Sequence, residues 1–99
     1  MISIFTPSHN PKHLNVAYQS LLDQTFKDWE WIVLLNGDAY WSCEDTRVKV
    51  RYDDSGNTNI GYLKRECCKL CTGDYLLELD HDDELLPTAL EEVHLAFLE

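Results

Sequence analysis

The stretch YLLELDHDD, residues 75–83, joins a short apolar run to three closely spaced carboxylates. The run is typical of a buried β-strand, and Asp80, Asp82 and Asp83 follow it in a turn. Carboxylates this close repel one another, so we expect a cation, hydrogen-bond donors or bulk water to share the site. Oxygen ligands at this density suit a hard divalent ion such as Mg²⁺ or Mn²⁺, and the simpler alternative is a solvated acidic turn.

The composition around this stretch limits the classes of protein to consider. The chain has 99 residues, which fits one small domain, and its 44% hydrophobic content predicts a packed core. A formal net charge of −10 leaves no basic footprint for nucleic acid. The same acidity favours a phosphate bridged by a metal over one bound directly. We expect neither a secretory signal nor a membrane span, since the sequence shows no charged segment followed by an apolar one and no apolar run of the roughly 20 residues that a span needs.

The cysteines are expected to be reduced and structural. They are Cys43, Cys67, Cys68 and Cys71. The last three fall in one helical pattern, where Cys67 and Cys71 share an apolar stripe with Ile60, Leu63 and Leu70. Thiols that serve as small core residues favour a cytoplasmic location over an oxidising compartment, with the cytoplasmic face of the membrane as the alternative.

Hydrophobic periodicity predicts strands and helices in alternation. The predicted strands cover residues 2–6, 29–35, 47–52 and 74–79, and the predicted helices cover residues 11–25 and 59–73 and begin again at Pro87. The second strand is apolar on both faces, as in the middle of a covered parallel sheet, whereas the third alternates and indicates a sheet edge. We expect Pro7 to end the first strand, Asn10 to cap the first helix and Gly73 to close the second helix.

The alternation of predicted strands and helices along the chain predicts an α/β layered domain with its polar turns at one edge. In such sheets ligands bind beyond the carboxyl ends of the strands, where the strand order reverses. Three polar clusters follow predicted strands, at residues 7–10, 36–38 and 80–83. We therefore expect them to meet at one edge of the sheet and to form a functional site.

Three segments resemble the amino-terminal half of the family-two glycosyltransferases. They are SIFTPSHN at residues 3–10, SLLDQTFKDWE at residues 20–30, and the run from Gly73 through the acidic turn to Pro87. The resemblance implies a three-layer GT-A fold, a Rossmann-like and mostly parallel sheet with helices on both faces, here truncated. Residues 1–99 would be the donor-binding part, and the acceptor-binding half would be absent.

The resemblance also implies a nucleoside-diphosphate sugar donor, for which a UDP-sugar is the first candidate, and inverting transfer to an acceptor hydroxyl. Mn²⁺ or Mg²⁺ would bridge the diphosphate to the carboxylates and act as a Lewis acid. Asp82 is the best candidate metal ligand, and Asp80 would help to hold the metal or the ribose. Pro7 and His9 match positions that line the nucleoside pocket, and His81 fills the variable position between the carboxylates.

The chain departs from the family pattern at two places. Family members commonly end the second strand in Asp-Asp-Gly, whereas this chain has Leu35, Asn36 and Gly37. Asn36 can still hydrogen-bond a base but Leu35 cannot, unless Asp38 or residues 53–54 compensate. The second helix often carries Arg-Asn where this chain has Lys64 and Arg65, so a cation near the diphosphate is retained.

Further expectations concern what lies outside these residues. An inverting transfer needs a general base, and the family's base belongs to the absent half, so we predict no transferase activity from this chain alone. The last strand would be poorly covered, which predicts a homo-oligomer.

Two alternatives remain open: a non-catalytic partner domain, and a calcium-binding module that would use Asp80, Asp82, Glu84 and Glu91. A different phosphate enzyme lacks support, because no glycine-rich phosphate loop is present.

Overall fold

The computed structural model describes residues 1–98, which form a four-stranded sheet with helices on both faces. The elements in chain order are β1 (Ile2–Ser8), a 3₁₀ turn (Pro11–His13), α1 (Leu14–Leu22), β2 (Trp29–Asn36), β3 (Val48–Asp53), α2 (Ile60–Lys69), β4 (Tyr75–Glu78) and α3 (Ala89–Leu98). The strand order is β3-β2-β1-β4 and every pair is parallel. The predicted α/β sheet, with the second strand inside it and the third at an edge, is confirmed.

Two apolar cores lie on opposite faces of the sheet. One core packs Leu14, Ala17 and Leu21 of α1 and Leu90 of α3 against the sheet. The other core packs Leu63 and Cys67 of α2 against the sheet's opposite face; its strand residues are Phe5, Ile32 and Leu34. Because side chains alternate along β2, its apolar run fills both cores, which is why the run has no polar positions.

β1 is longer than the sequence predicted. Pro7 lies inside the strand, opposite Leu34 of β2. The pairing with β4 ends at Phe5, opposite Glu78. Pro7 therefore faces a paired neighbour on one side only, and the loss of its N–H is tolerated there. Asn10 does cap the following turn as predicted, since its side chain accepts a hydrogen bond from the backbone N–H of Lys12.

Gly73 does not act as a helix C-terminal glycine, so that prediction is wrong. α2 ends at Lys69 with Leu70 as its cap, and the glycines with positive φ are Gly37 and Gly56. Gly73 instead passes close to β1, where an added Cβ would lie 2.7 Å from both the Met1 carbonyl oxygen and the Ser3 hydroxyl. A glycine is needed for this approach of two backbone segments rather than for a left-handed turn.

The buried amide of Gln24 joins the end of α1 to the segment that follows the acidic turn. Its Nε2 donates to the Ser20 carbonyl at 3.0 Å and to the Leu86 carbonyl at 2.8 Å, and its Oε1 accepts from the Leu90 N–H at 3.1 Å. Ser20 Oγ accepts from the Leu85 N–H at 3.1 Å. The segment from residue 85 to residue 90 is thereby fixed against α1.

Glu30 of β2 is a buried carboxylate that binds three other segments at the amino end of the sheet. It accepts from Ser3 Oγ at 2.5 Å, Lys49 Nζ at 2.6 Å and the Thr72 N–H at 2.6 Å. Burial alone would raise the pKa of Glu30, but these donors outweigh it and lower the pKa to about 2. The carboxylate stays ionised and supports the sheet from the end opposite the polar turns.

The loop before β3 is ordered by aromatic and polar contacts. Trp41 packs edge-on against Trp31 with ring centroids 5.5 Å apart and donates its indole N–H to Asn15. Asp45 accepts from Arg47 and from the Tyr18 hydroxyl. The Arg47 hydrogen bond is the main reason that the pKa of Asp45 falls to about 2. Within residues 1–98, no helix is both long and apolar enough to cross a membrane.

Candidate functional site

The three polar turns lie at the carboxyl edge of the sheet, as the sequence predicted. The chain steps from β1 to β2 and β3 on one side, and β4 pairs with β1 on the other side. The strand order therefore reverses between β1 and β4, which is the usual position of a ligand cleft in a parallel sheet. The turns after β1, β2 and β4 surround this point.

An apolar cavity of about 450 Å³ opens beside the ends of β1 and β2. Its lining residues are Pro7, Ser8, His9, Asn36, Gly37, Thr58, Ile60 and Leu63. Gly37 has φ +67°, a conformation that favours glycine, and it turns the chain sharply away after Asn36. The turn leaves the Asn36 side chain as an amide donor and acceptor on the wall of a mostly apolar cavity.

An acidic cavity of about 300 Å³ lies next to the apolar cavity. Its lining residues are Pro7, His9, Ile60, Lys64, Glu78, Asp80, His81 and Asp82. The two cavities share Pro7, His9 and Ile60. Together they form one cleft that runs from the end of β2, past the end of β1, to the carboxylates after β4.

The charges of the acidic cavity are partly balanced by one lysine. Lys64 Nζ lies 2.7 Å from Glu78 Oε1, and this hydrogen bond is the main cause of the raised pKa of Lys64, with Asp80 adding to it. Three carboxylates against one ammonium leave two net negative charges when both histidines are neutral. A divalent cation would neutralise that excess.

The carboxylates are candidate ligands for part of a metal coordination shell. Asp80 and Asp82 are exposed in the acidic cavity, and no cluster of three or more His, Cys, Asp or Glu side chains in the described residues could by itself enclose an ion. Mg²⁺ and Mn²⁺ accept one or two carboxylates when water and substrate phosphates supply the other ligands. The donor set therefore fits a hard divalent ion that is shared with a phosphate ligand.

Six of the seven predicted site residues line the cleft. They are Pro7, His9, Asn36, Lys64, Asp80 and Asp82. Arg65 is exposed on α2 and lines neither cavity. Successive residues of a helix point in different directions, so Lys64 and Arg65 cannot face one ligand equally.

The carboxylates proposed to compensate for Leu35 lie elsewhere. Leu35 is 1% exposed and packs in the core beneath α1. Asp53 accepts from the N–H and hydroxyl of Ser55, and the hydroxyl bond is the main cause of its lowered pKa. Neither Asp38 nor Asp53 is among the residues that line the two cavities.

Several lining residues were not identified as site residues from the sequence. Ile60 was assigned to the buried stripe of α2, but it is 57% exposed because it lies one turn before Leu63, beyond the edge of the sheet. Glu78 was taken as part of an apolar run. Its position at the end of the strand, two residues before Asp80, was the available signal, since side chains two residues apart in an extended segment face the same way. Ser8 and Thr58 carried no comparable signal.

The calcium-binding alternative is not supported by the positions of its carboxylates. The pattern needs Glu91 to reach the same ion as Asp80 and Asp82. In the structure Glu91 Oε2 accepts from Thr25 Oγ1 at 3.0 Å, on the α1 side of the chain. A strand, not a helix, precedes the acidic turn.

Sequence comparisons identify relatives along nearly the whole chain. The profile of Glycosyl transferase family 2 matches residues 3–99. The chain is 31% identical over 102 residues to the chondroitin synthase of Escherichia coli, which covers 92% of this chain and 14% of that protein. It is 27% identical over 99 residues to the putative colanic acid biosynthesis glycosyl transferase WcaA of Escherichia coli K12, covering 91% of this chain and 35% of WcaA. The chain thus spans about a third or less of these relatives.

Solved structures share the fold. Staphylococcus aureus TarS 1-349 superposes with a TM-score of 0.79 at 22% identity, over 98% of this chain and 32% of that one. The same TarS region in complex with UDP gives a TM-score of 0.74 at 23% identity, over 98% of this chain and 31% of that one. The predicted GT-A architecture is confirmed by these superpositions.

Proposed function

The chain belongs to glycosyl transferase family 2, and we propose that it is the nucleotide-sugar-binding part of an inverting glycosyltransferase. The donor is a nucleoside-diphosphate sugar, for which a UDP-sugar is the first candidate, and the acceptor is a hydroxyl group. The observation that carries this proposal is the continuous cleft from Asn36 to Asp82 at the point where the strand order reverses.

The apolar cavity is the proposed nucleoside site. Its volume of about 450 Å³ is within the usual range for a small-molecule pocket, and it combines apolar walls with few polar groups. Asn36 can donate to and accept from the edge of a base. The exposed ring of His9 and the side chain of Ile60 can pack against the flat faces of the base and ribose.

The acidic cavity is the proposed diphosphate and metal site. Asp82 and Asp80 would hold Mn²⁺ or Mg²⁺, and the bound ion would supply Lewis acidity to the leaving diphosphate. Lys64 is already in this cavity and can exchange its contact with Glu78 for a phosphate oxygen. The two excess negative charges of the cavity explain why the diphosphate would need the ion, since it would otherwise be repelled.

The general base is proposed to lie outside these residues. The carboxylates that line the cleft are engaged by Lys64 or assigned to the metal, and the relatives are several times longer than this chain. We therefore expect this chain alone to bind a donor without transferring its sugar. A cytoplasmic location remains a prediction.

A homo-oligomer also remains a prediction. Among residues 1–98, β4 is an outer strand with an unpaired edge, and Leu76 on it is 49% exposed. Such an edge can pair with another chain. Sedimentation equilibrium at high protein concentration tests this, and a clean monomer there would count against it.

Calorimetric titration of the chain with UDP, with and without Mn²⁺, tests the proposed donor site. We expect Mn²⁺ to strengthen UDP binding, and Asp82→Asn to weaken the Mn²⁺-dependent binding by about tenfold or more. Asp83→Asn is the matched control, because Asp83 is an exposed neighbour that does not line the acidic cavity. No UDP binding by the unaltered chain, or equal losses in the two variants, would contradict the assignment.

The burial of Leu35 favours one alternative function. A family member that lacks the usual carboxylate at this position could retain the fold as a non-catalytic partner domain. The same titration separates the two functions, because a partner domain would bind neither UDP nor Mn²⁺.

A further inference from the structure

Ser8 lies at the junction of the two turns that form the cleft. Its side chain is buried, with 2% exposure at the end of β1. Ser8 Oγ lies 2.9 Å from the Asn10 carbonyl oxygen, 3.2 Å from the Asn10 nitrogen and 2.8 Å from His81 Nδ1. One buried hydroxyl thus contacts both the turn after β1 and the turn after β4.

The hydrogen-bond network assigns the proton on the His81 ring. A serine hydroxyl has one hydrogen and two lone pairs. When Oγ–H donates to the Asn10 carbonyl, the two lone pairs accept from the Asn10 N–H and from His81 Nδ1–H, and every group is satisfied. The opposite tautomer would take the hydroxyl hydrogen away from the Asn10 carbonyl. We therefore assign the proton of neutral His81 to Nδ1.

This hydrogen bond holds a turn that has few other attachments. β4 stops pairing with β1 at Glu78, and Thr6 Oγ1 then donates to the Leu79 carbonyl at 2.6 Å. Beyond Leu79, the hydrogen bond between Ser8 and His81 is the one that links residues 80–83 to β1 in the described part of the chain. His81 lies between Asp80 and Asp82, so the position of its ring constrains both carboxylates.

The same imidazole contacts the nucleoside side of the cleft. The ring centroids of His9 and His81 are 5.1 Å apart and the rings are tilted by 47°. His9 lines both cavities, whereas His81 lines the acidic one. A ligand that orders His9 would therefore restrict His81 and, through it, the two carboxylates.

We infer that Ser8 and His81 are positioning residues that couple nucleoside binding in the apolar cavity to metal and diphosphate binding in the acidic cavity. This inference rests on the proposed donor-binding function. Coupling between two sites is reciprocal, so the ion should raise the affinity for UDP by the factor with which UDP raises the affinity for the ion. The hydrogen bond between Ser8 and His81 supplies part of that factor by linking the two turns, so that a ligand that orders one turn also orders the other.

The experiment measures the affinity of the full chain for UDP at saturating Mn²⁺ and without Mn²⁺, and the quotient of the two affinities is called the Mn²⁺ ratio. The affinity for uridine is measured as a reference. Ser8→Ala and His81→Phe remove the hydrogen bond, and His81→Phe keeps an aromatic ring beside His9. We expect both variants to lower the Mn²⁺ ratio by about two- to tenfold, which corresponds to one net hydrogen bond. In His81→Phe, whose ring lies outside the apolar cavity, uridine affinity should change by less than about twofold, a split that a general loss of stability would not produce.

His81→Asn is the rescue variant, because its side-chain amide nitrogen is separated from Cα by the same number of bonds as Nδ1 and can donate to Ser8. Its Mn²⁺ ratio should return to within about twofold of the unaltered chain. If Ser8→Ala does not fold, His81→Phe at the half-buried turn position provides the comparison. An unchanged ratio in the variants that lack the hydrogen bond would overturn the inference while leaving the donor site intact. No UDP binding, or no effect of Mn²⁺, in the unaltered chain would overturn the proposed function and this inference with it.

Discussion

Glu30→Gln should destabilise the protein in a pH-dependent way. The carboxylate of Glu30 is 2% exposed and accepts hydrogen bonds from Ser3, Lys49 and Thr72. The substitution keeps the size of the side chain but removes its charge, and it places an amide group among donors. The sheet loses an ionic link between β1, β2, β3 and the segment that follows α2.

The magnitude follows from the pKa of Glu30. The pKa falls from an ordinary 4.5 to about 2 in the folded protein. At about 1.4 kcal/mol per pH unit, the ionised carboxylate contributes about 3 kcal/mol to the free energy of unfolding. Because the folded pKa is the lower one, this contribution is fully present above pH 4.5 and is lost as the pH falls toward 2.

Urea unfolding of both proteins at pH 7 and at pH 3 tests this value. We expect Glu30→Gln to be less stable by about 3 kcal/mol at pH 7, and the difference to shrink by about 2 kcal/mol at pH 3. Asp45 also titrates in this range, but it is present in both proteins and cancels in the difference. Glu66→Gln is the matched control, since Glu66 pairs with Lys69 on the surface of α2 and should change stability by less than about 0.5 kcal/mol.

Two outcomes would refute the reasoning about Glu30. A difference below about 0.5 kcal/mol at pH 7 would mean that burial of the carboxylate cancels its hydrogen bonds, as happens at some buried ion pairs. A large difference that is the same at both pH values would mean that the amide disturbs packing, and that the charge contributes nothing.

Two further predictions concern the attachment of the acidic turn and the cation of the cleft. Gln24→Leu should lower the free energy of unfolding, measured in urea, by about 2–4 kcal/mol, because it leaves the buried Leu90 N–H and the Leu86 carbonyl without partners. Gln19→Leu, on the exposed side of α1, is the control and should have little effect. Equal losses in the two variants would contradict the role given to Gln24. Lys64→Met should weaken UDP binding, measured by calorimetry, by about three- to tenfold, since a charge-assisted contact is lost. Arg65→Met should leave UDP binding unchanged. A larger loss from Arg65→Met would reverse the assignment of Lys64 as the cation of the cleft.

Much of the site could be predicted because it depends on strand ends. Asn36 and Asp80 each follow an apolar run, and in a parallel sheet such ends meet at one edge whatever the details of packing. The sequence could not separate Arg65 from Lys64, because choosing between them requires the rotation of α2 about its axis. Ile60 presented the same difficulty, since an apolar residue at the end of a helical stripe can be core or cavity wall depending on how far the sheet extends.

The sequence by itself determined the class of fold, the family and the position of the acidic turn, because periodicity, strand-end residues and family segments are properties of neighbouring residues. The tertiary structure decided which polar groups satisfy one another over long separations. Ser8 meets His81 across 73 positions, Gln24 meets Leu90 across 66, and Glu30 meets Thr72 across 42. Each contact depends on the register and distance between packed elements, so a local pattern could mark YLLELDHDD as a candidate site but could not show what holds it in place.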